Sequence, residues 1–279
     1  MQVYCALTSQ NKIAVLSEDL ELLNLIELNP NSGPKSLFRD KNILFSVNIY
    51  DGSVAKIDLN ENKVSQKHVC SYPTAICKKD DSIFLACGET DFIYITDEDL
   101  NVQKIFAAYG FPISLDIYND LLGVALLYAK QVAIYDIHTQ SLARAISING
   151  FPNCVYFCGE EIYTSYSDEG YFSNGFLEVF DAEGNSLRKT STGSMPTKML
   201  CVNDDLYCLN TGGDSIYIYS SKDLELKKIV EGISMPGDII CCNNHIYVSC
   251  MSDGGVVKLD LNGNVTAEVK LGETQGITN

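Results

Sequence analysis

Two charged residues stand inside segments that otherwise consist mainly of apolar residues. Lys198 and Asp238 each lie two residues after a proline, and Asp116 lies early in a similar segment. A lysine or carboxylate in a cleft is a candidate for catalysis, because burial and charged neighbours shift its pKa. The alternative is a structural ion pair or contact with internal water. We treat Lys198 and Asp238 as candidate binding residues and assign no catalytic residue.

Large apolar residues precede five of six regularly spaced prolines. They are Tyr72, Phe111, Phe151, Met195 and Met235, and Gly33 precedes the remaining proline. Methionine and aromatic side chains suit adaptable apolar binding sites. In the alternative interpretation, each side chain wedges between structural units and supports the turn at its proline. The five large residues are therefore candidate binding residues, and both interpretations remain open.

One segment, Ser165–Gly175, combines aromatic and acidic residues within an unusually long repeat unit. Its candidate binding residues are Tyr166, Asp168, Glu169, Tyr171 and Phe172. Exposed aromatic residues beside charges are typical of interface anchors, and loops often carry function. The alternative is a tolerated insertion whose aromatic rings fold back on the protein.

The remaining reactive residue types show no catalytic or metal-binding pattern. The three histidines are far apart, and no Ser-His-Asp arrangement can be assembled from them. The eleven cysteines include no Cys-x-x-Cys pair, and most of them fall in apolar runs. Reduced cysteine behaves as a small buried hydrophobic residue, so we expect about eleven free thiols in a reducing compartment. We predict no metal site and no cofactor.

The acidic balance of the chain limits its partners. The net charge is −16, and nucleic-acid binding needs a basic face, so we expect no nucleic-acid partner. The acidic residues recur in turns, for example at Glu89, Asp91 and Asp214. They form either an acidic rim for a cation or basic peptide, or ordinary turn caps. No apolar run reaches the roughly 18 residues of a membrane span, and no signal segment opens the chain. We expect a cytoplasmic monomer that does not bind membranes.

The elements that position these residues repeat along the chain. Six prolines recur at intervals of 39, 39, 40, 44 and 40 residues: Pro34, Pro73, Pro112, Pro152, Pro196 and Pro236. Each unit contains four short β-rich runs separated by Asn, Asp and Gly. In the fifth unit these runs are Thr197–Val202, Leu206–Leu209, Ile216–Tyr219 and Lys227–Val230. Four short strands in about 40–45 residues is the period of a propeller blade.

A seventh blade is predicted from both termini together. One further period after Pro236 reaches Gly276, and the N-terminal residues Val3–Cys5 match the second strand of a blade. The predicted fold is all-β: one domain, 1–279, forming a seven-bladed β-propeller of four-stranded blades. The predicted blades are 34–72, 73–111, 112–151, 152–195, 196–235, 236–275, and 276–279 with 1–33. Sharing one blade closes the ring and removes an exposed sheet edge, and neighbouring blades place Lys198 near Asp238.

The units resemble YVTN-type repeats of seven-bladed propellers, the family that includes surface-layer-type and lactonase-like propellers. The matching elements are the proline before the first strand, the strand Ile246–Ser249, the turn Ser252–Gly255 and the strand end Leu259–Leu261. The resemblance implies that the strand after each proline is innermost. It also implies that the connections between blades, and those between the second and third strands, surround the mouth of a central channel. One scaffold carries many functions, so the resemblance predicts fold rather than activity.

Two functional hypotheses follow from these observations. The first is a non-catalytic binding or scaffolding propeller that presents its channel mouth to a peptide or protein partner. The second is a lactonase-like hydrolase that uses carboxylates in the central channel on a small polar substrate. Converging carboxylates at the mouth favour the hydrolase, whereas an apolar collar formed by Phe111, Phe151, Met195 and Met235 favours binding.

Overall fold

The computed structural model describes residues 1–169, 173–252 and 254–279. Within these ranges the chain forms 28 strands and three single-turn 3-10 helices at Thr8–Gln10, Gly88–Thr90 and Thr211–Gly213. None of these helical turns has the length or apolarity needed to cross a bilayer. The strands, in chain order, are β1 Gln2–Leu7, β2 Lys12–Ser17, β3 Leu22–Glu27, β4 Pro34–Asp40, β5 Ile43–Asn48, β6 Ser53–Asp58, β7 Lys63–His68, β8 Pro73–Lys79, β9 Ser82–Cys87, β10 Phe92–Thr96, β11 Val102–Ala107, β12 Pro112–Tyr118, β13 Leu121–Leu126, β14 Gln131–Asp136, β15 Leu142–Ser147, β16 Phe151–Cys158, β17 Glu161–Ser167, β18 Gly175–Phe180, β19 Ser186–Thr192, β20 Pro196–Val202, β21 Asp205–Asn210, β22 Ser215–Ser220, β23 Leu226–Glu231, β24 Pro236–Cys242, β25 His245–Cys250, β26 Gly255–Asp260, β27 Val265–Lys270 and β28 Thr274–Thr278.

The strands form seven antiparallel four-stranded sheets, which confirms the predicted seven-bladed propeller. Blades 1 to 6 are built from consecutive strands, beginning with β4–β7 and ending with β24–β27. Blade 7 has the order β28-β1-β2-β3, so the two chain termini share it as predicted. Its innermost strand begins at Thr274, two residues before the predicted segment, and Thr274 lies opposite Leu7.

Each recurring proline marks the inner edge of a blade. The proline is the first residue of the innermost strand in five blades and the second in blade 4. In all six blades the pairing register shifts directly after the proline, as in Pro34 opposite Asn48 followed by Ser36 opposite Val47. Proline lacks an N–H group and is tolerated at a strand start or beside a β-bulge. The proline period therefore predicts the strand starts, because each blade opens with the same bulge.

The hydrophobic core is divided among the seven interfaces between neighbouring blades. One cluster joins Leu209 and Ile218 of blade 5 to Ile246 and Val248 of blade 6, and an equivalent cluster fills the interface between blades 7 and 1. Each blade is consequently apolar on both faces, and its second strand is almost wholly buried. Several cysteines, such as Cys208, lie within these clusters as small buried residues.

Buried hydroxyl groups also connect neighbouring blades at the channel. Thr8 Oγ1 donates to the Pro34 carbonyl at 2.7 Å, and Thr211 Oγ1 donates to the Pro236 carbonyl at 2.6 Å. Thr74 makes the equivalent bond to Pro112 at 2.8 Å. Because buried carbonyl groups are costly to leave unpaired, these bonds fix the starts of the innermost strands relative to one another.

One pair of cysteines contradicts the expectation of eleven free thiols. Cys70, in the connection between blades 1 and 2, is disulfide-bonded to Cys87 at the end of β9, with their Cα atoms 6.2 Å apart. Both residues are buried in the interface between these blades. The expectation is wrong for this pair because the two cysteines belong to different repeat units, and only the packed ring brings them together.

The disulfide should limit the number of free thiols and increase the free energy of unfolding. Alkylation of the unfolded protein should label at least two more cysteines after reduction than before it, because Cys70 and Cys87 are paired. The bond closes a loop with a sequence separation of 17 residues. Reduction should lower the free energy of unfolding by about 3 kcal/mol, measured by urea denaturation. Labelling of all eleven without reductant would contradict the disulfide.

Candidate functional site

The innermost strands surround a cavity of about 390 Å³ at the channel mouth. The residue that follows the proline, or follows Thr274 in blade 7, reaches this cavity from every blade. These seven residues are Lys35, Thr74, Ile113, Asn153, Thr197, Gly237 and Gln275. Each stands at the register shift that opens its strand, where a β-bulge leaves one residue outside the ladder pairing and re-aims its side chain. The repeated bulge therefore builds the lining of the cavity.

The residues before the prolines share an unusual backbone conformation. Tyr72, Phe111, Met195 and Met235 all have positive φ, between 40° and 63°. A bulky residue in this left-handed region costs about 1–3 kcal/mol, and it persists only where its surroundings over-determine it. Here the carbonyl of each residue accepts a bond from the backbone N–H that follows the second strand, for example Leu127 N–H to Phe111 at 3.2 Å.

Acidic residues of the turns hold this conformation from the other side. Asp91 Oδ1 accepts the Phe111 N–H at 2.7 Å, and Asp214 Oδ1 accepts the Met235 N–H at 2.8 Å. These two carboxylates thus stabilise the turns before the prolines, as the turn-cap interpretation predicts. They are engaged by main chain and do not converge on a common point for a cation.

The side chains before the prolines differ in their surroundings. Tyr72, Met195 and Met235 line the cavity, although Met195 is largely buried. Phe151 is half-buried beneath the Lys130 ammonium, which lies 4.5 Å from its ring centroid. The Phe111 ring is half-buried and lies outside the cavity lining. The predicted collar is therefore partly a cavity wall and partly packing at blade boundaries.

Aromatic side chains of blades 1 to 3 form a surface at the same channel mouth. We call it the aromatic arc, and it consists of Tyr50, Tyr72, Phe92, Tyr109, Phe111 and Tyr128. The Phe111 centroid lies 5.9 Å from that of Tyr72 and 5.2 Å from that of Tyr128. Burial raises the pKa of Tyr72, and the nearby Glu89, Tyr50 and Tyr128 raise it further. The side chains of Tyr50, Tyr72, Phe111 and Tyr128 therefore lie together.

Sequence analysis missed the exposed members of this arc. Tyr50, Tyr109 and Tyr128 are 59%, 70% and 66% exposed. Tyr50 and Tyr128 each stand two residues after the second strand of their blade, and Glu89 holds the same position in the blade between them. Aligning the repeat units at the turns after the second strands would have revealed this Tyr-Glu-Tyr series.

The long segment of blade 4 is placed differently from its prediction. Tyr166 is fully buried within β17, stacks on Phe176 and donates to Glu178, so it is not an exposed anchor. Tyr166 lies opposite Pro152, as Asn210 lies opposite Pro196 in the next blade, so it belongs to the regular second strand rather than to a connection. Hydrogen bonds from Ser173 and Asn174 hold the pKa of Asp168 below its usual value, and Glu169 is exposed. Tyr171 and Phe172 lie outside the described residues.

The predicted proximity of Lys198 to Asp238 is confirmed. Their Nζ and Oδ1 atoms are 3.8 Å apart on the cavity wall, and the Asp238 charge raises the pKa of Lys198. Asp238 also accepts the N–H groups of Ile239 at 3.0 Å and Ile277 at 3.2 Å, which joins blade 6 to blade 7. The carboxylate is therefore part of a structural link as well as of the cavity wall.

Asp116 occupies a comparable structural position between blades 3 and 4. It accepts the Phe157 N–H at 2.7 Å and the Ile117 N–H at 2.9 Å. Burial raises its pKa to about 6, against the opposing effect of these bonds and of Lys198. Asp116 and Asp238 both direct their oxygens at main-chain donors rather than at a shared point.

Lys35 is a second cavity lysine that sequence analysis did not select. Its ammonium lies 5.6 Å from the Tyr72 ring centroid and has no hydrogen bond or ion pair with any residue in the described ranges. Burial, with a further contribution from the nearby Lys198 charge, lowers its pKa to about 8. Lys35 directly follows Pro34, whereas the predicted charged positions, Lys198 and Asp238, stand two residues after their prolines.

These features define the class of the protein as a seven-bladed β-propeller with a closed ring and a polar cavity at its channel mouth. Neither a family model nor a curated protein matches the chain. A functionally unknown protein from Desulfotomaculum acetoxidans DSM 771 is similar in structure, with 13% identity, a TM-score of 0.81, and coverage of 99% of this chain and 98% of that one.

Two further solved structures are similar over most of the chain. Dihydro-heme d1 dehydrogenase NirN in complex with DHE has 13% identity and a TM-score of 0.73, covering 100% of this chain and 75% of that one. The Cps50 (Swd1) β-propeller domain of Myceliophteria thermophila has 11% identity and a TM-score of 0.73, covering 88% of each chain. At these identities the similarity shows the fold alone.

Proposed function

We propose that this propeller is a non-catalytic binding or scaffolding module that presents its mouth face to a peptide or protein partner. The observation that carries the proposal is the aromatic arc, whose Tyr50, Tyr109 and Tyr128 are each more than half exposed. Clustered exposed aromatic side chains are costly in water and are enriched among interface anchors.

The backbone beneath the arc supports the same proposal. Tyr72 and Phe111 are held in the left-handed region, where a bulky residue is strained. Such strain clusters at functional sites because it fixes side chains before a ligand arrives. A rigid aromatic surface loses little conformational entropy on binding, which favours affinity.

The charge around the arc indicates the chemistry of the partner. Exposed Glu89 stands between Tyr50 and Tyr128, and the chain as a whole has a net charge of −16. Lysine and arginine side chains are attracted both to carboxylates and to the faces of tyrosine rings. We infer a partner segment that carries an apolar anchor beside positive charge.

The lactonase-like hydrolase is the second hypothesis, and the channel supports it less well. Among the described residues, no three His, Cys, Asp or Glu side chains are grouped so that they could hold a metal ion. Asp116 and Asp238 are each engaged by two main-chain N–H groups.

Membership of the YVTN-type family is likewise a proposal, supported by the proline period and by the Ile246–Ser249 strand motif.

Selection from a random peptide library displayed on phage tests the binding proposal. Peptides selected on the immobilised protein should share an aromatic or aliphatic residue next to Lys or Arg. Tyr128→Ala should weaken the binding of the selected peptides by about thirtyfold or more, since truncating an interface anchor costs at least about 2 kcal/mol. Titration calorimetry measures the affinities, and Glu89→Gln should reduce their dependence on salt.

A matched control comes from the same blade. Leu142 on β15 is 54% exposed but lies on the outermost strand, away from the mouth. Leu142→Ala should leave the affinity of every selected peptide unchanged. Failure to select any peptide, or equal binding to wild type and Tyr128→Ala, would refute the proposed function.

A further inference from the structure

We propose that the cavity at the channel mouth binds an organic carboxylate between the ammonium groups of Lys35 and Lys198. This site is separate from the exposed part of the aromatic arc, and its ligand is anionic rather than basic. The proposal goes beyond the proposed function, because the cavity can accept a carboxylate whether or not the arc has a partner.

The two lysines approach the cavity from different parts of the ring. Lys35 comes from β4 in blade 1 and Lys198 from β20 in blade 5, and both line the same 390 Å³ space. Their mutual influence is visible in the pKa of Lys35, which the Lys198 charge lowers. Two like charges that face one cavity repel each other, and an anion between them removes that repulsion.

The charges of the cavity wall are unbalanced. The charged lining residues are Lys35, Lys198 and Asp238. Asp116 behind the wall and Asp238 both attract Lys198, whereas no carboxylate contributes to the pKa of Lys35. Asp238 is engaged by Lys198 and by two main-chain N–H groups, whereas the Lys35 ammonium lies over the Tyr72 ring and has no ion pair within the described ranges. A desolvated cation without a counter-charge is unfavourable, and a single carboxylate supplies that charge.

The rest of the lining indicates that the carboxylate is attached to an apolar body. Three methionines, Met195, Met235 and Met251, together with Ile49 and Ile113, form the apolar part of the wall. Methionine adapts its shape to irregular apolar ligands. A cavity of about 390 Å³ that is lined by apolar and polar side chains together is of the size that holds a small organic ligand. The same chemistry is offered by a free organic acid and by the C-terminal carboxylate of a peptide that ends in an apolar residue.

Binding should depend on pH through the groups that face Lys35. Lys35 has a pKa of about 8, and the charged groups around it are Lys198, Asp238 and, behind the wall, Asp116 with a pKa of about 6. A bound carboxylate favours protonated Lys35 and so raises its pKa. Affinity is therefore present below pH 8 and falls as the pH rises through 8, while ionisation of Asp116 weakens it slightly between about pH 5 and 7.

The test compares 3-phenylpropanoate with its neutral isostere 3-phenylpropanamide, and a short peptide ending in phenylalanine with the same peptide amidated. At about pH 7 we expect the dissociation constant of each acid to be lower than that of its amide by about tenfold or more, as measured by NMR titration. Lys35→Met should remove this preference for the acid. Lys130→Met is the matched control, because Lys130 lies over Phe151 outside the cavity. This variant should bind all four probes with the affinity of the wild type.

The outcomes distinguish a small organic acid from a peptide terminus as the ligand. They also separate failure of this proposal from failure of the proposed function. Binding of the free acid assigns a small-molecule ligand, and binding of the peptide acid alone assigns a chain terminus. Equal binding of acids and amides, or an unchanged preference in Lys35→Met, overturns the proposal. Tyr128→Ala tests the aromatic arc and should leave 3-phenylpropanoate binding intact, so either proposal can fail without the other. The NMR spectrum of each variant verifies its fold.

Discussion

A chain shortened to residues 1–273 is expected to lose most of its stability, because β28 closes the ring. This strand supplies Ile277, only 2% exposed, to the core between blades 6 and 7. Thr274 Oγ1 donates at 2.7 Å to the Cys250 carbonyl, and Ser249 Oγ donates to the Gln275 carbonyl. Removing a buried isoleucine costs about 2–5 kcal/mol and each hydrogen bond about 1 kcal/mol, which together approach the 5–15 kcal/mol that stabilises a typical domain.

The deletion also creates a new sheet edge. Without β28, the backbone groups of β1 that pair with Thr274, Ile277 and Thr278 face the channel without partners. Exposed edges promote association of chains, so the shortened protein should aggregate or melt far earlier, as measured by circular dichroism and size-exclusion chromatography. Removal of Asn279 alone is the control, since this exposed residue lies outside β28. A melting curve of 1–273 that matches the full chain would exclude closure as a source of stability.

Gly254→Ala is expected to be the most damaging single methyl addition at the mouth. Gly254 has a φ of +64°, and a Cβ there would lie 1.7 Å from the carbonyl oxygen of Gly272. The main chain would have to shift, which breaks the 3.2 Å bond from Leu271 N–H to the Gly254 carbonyl just before β28. We expect a loss of about 3 kcal/mol or more, the size of a severe packing error.

Gly159 provides a matched control for this substitution. It has the same φ of +64°, but nothing lies within 4 Å of its added Cβ. Gly159→Ala should cost only the roughly 1–2 kcal/mol of a left-handed backbone with a side chain. Urea denaturation measures the free energy of unfolding that each variant loses, and the difference between the two losses is the cost of the steric contact at Gly254. Equal losses would show that the contact between Gly254 and Gly272 relaxes without cost.

The blades could be predicted because their signals are local. A proline at a strand start, a turn of Asn and Asp, and short apolar runs recur within each unit, and each signal acts on a few neighbouring residues. In the fifth unit the observed strands extend the predicted ones by about one residue at each end, as at Asp205–Asn210 against Leu206–Leu209. Thr274 was missed as a strand start because it replaces the proline of the other blades.

The candidate site was only partly predictable from the repeat pattern. Lys198 and Asp238 were placed together correctly because they occupy the same position in adjacent blades. Lys35 was missed because a bulge, rather than simple alternation along the strand, directs the residue after the proline into the cavity. Tyr166 was misplaced because it belongs to the second strand, where it pairs with Pro152, and the pairing at a strand end is decided by the partner strand rather than by composition.

The sequence by itself determined the number of blades, the strand order and the shared terminal blade, because these depend on a period and on short-range preferences of the chain. The tertiary structure decided which side chains meet at the axis, which aromatic rings remain exposed, and that Cys70 reaches Cys87. These outcomes depend on how seven separate units close around one centre. Lys35 and Lys198 stand more than 160 residues apart in the chain, and only ring closure makes them walls of the same cavity.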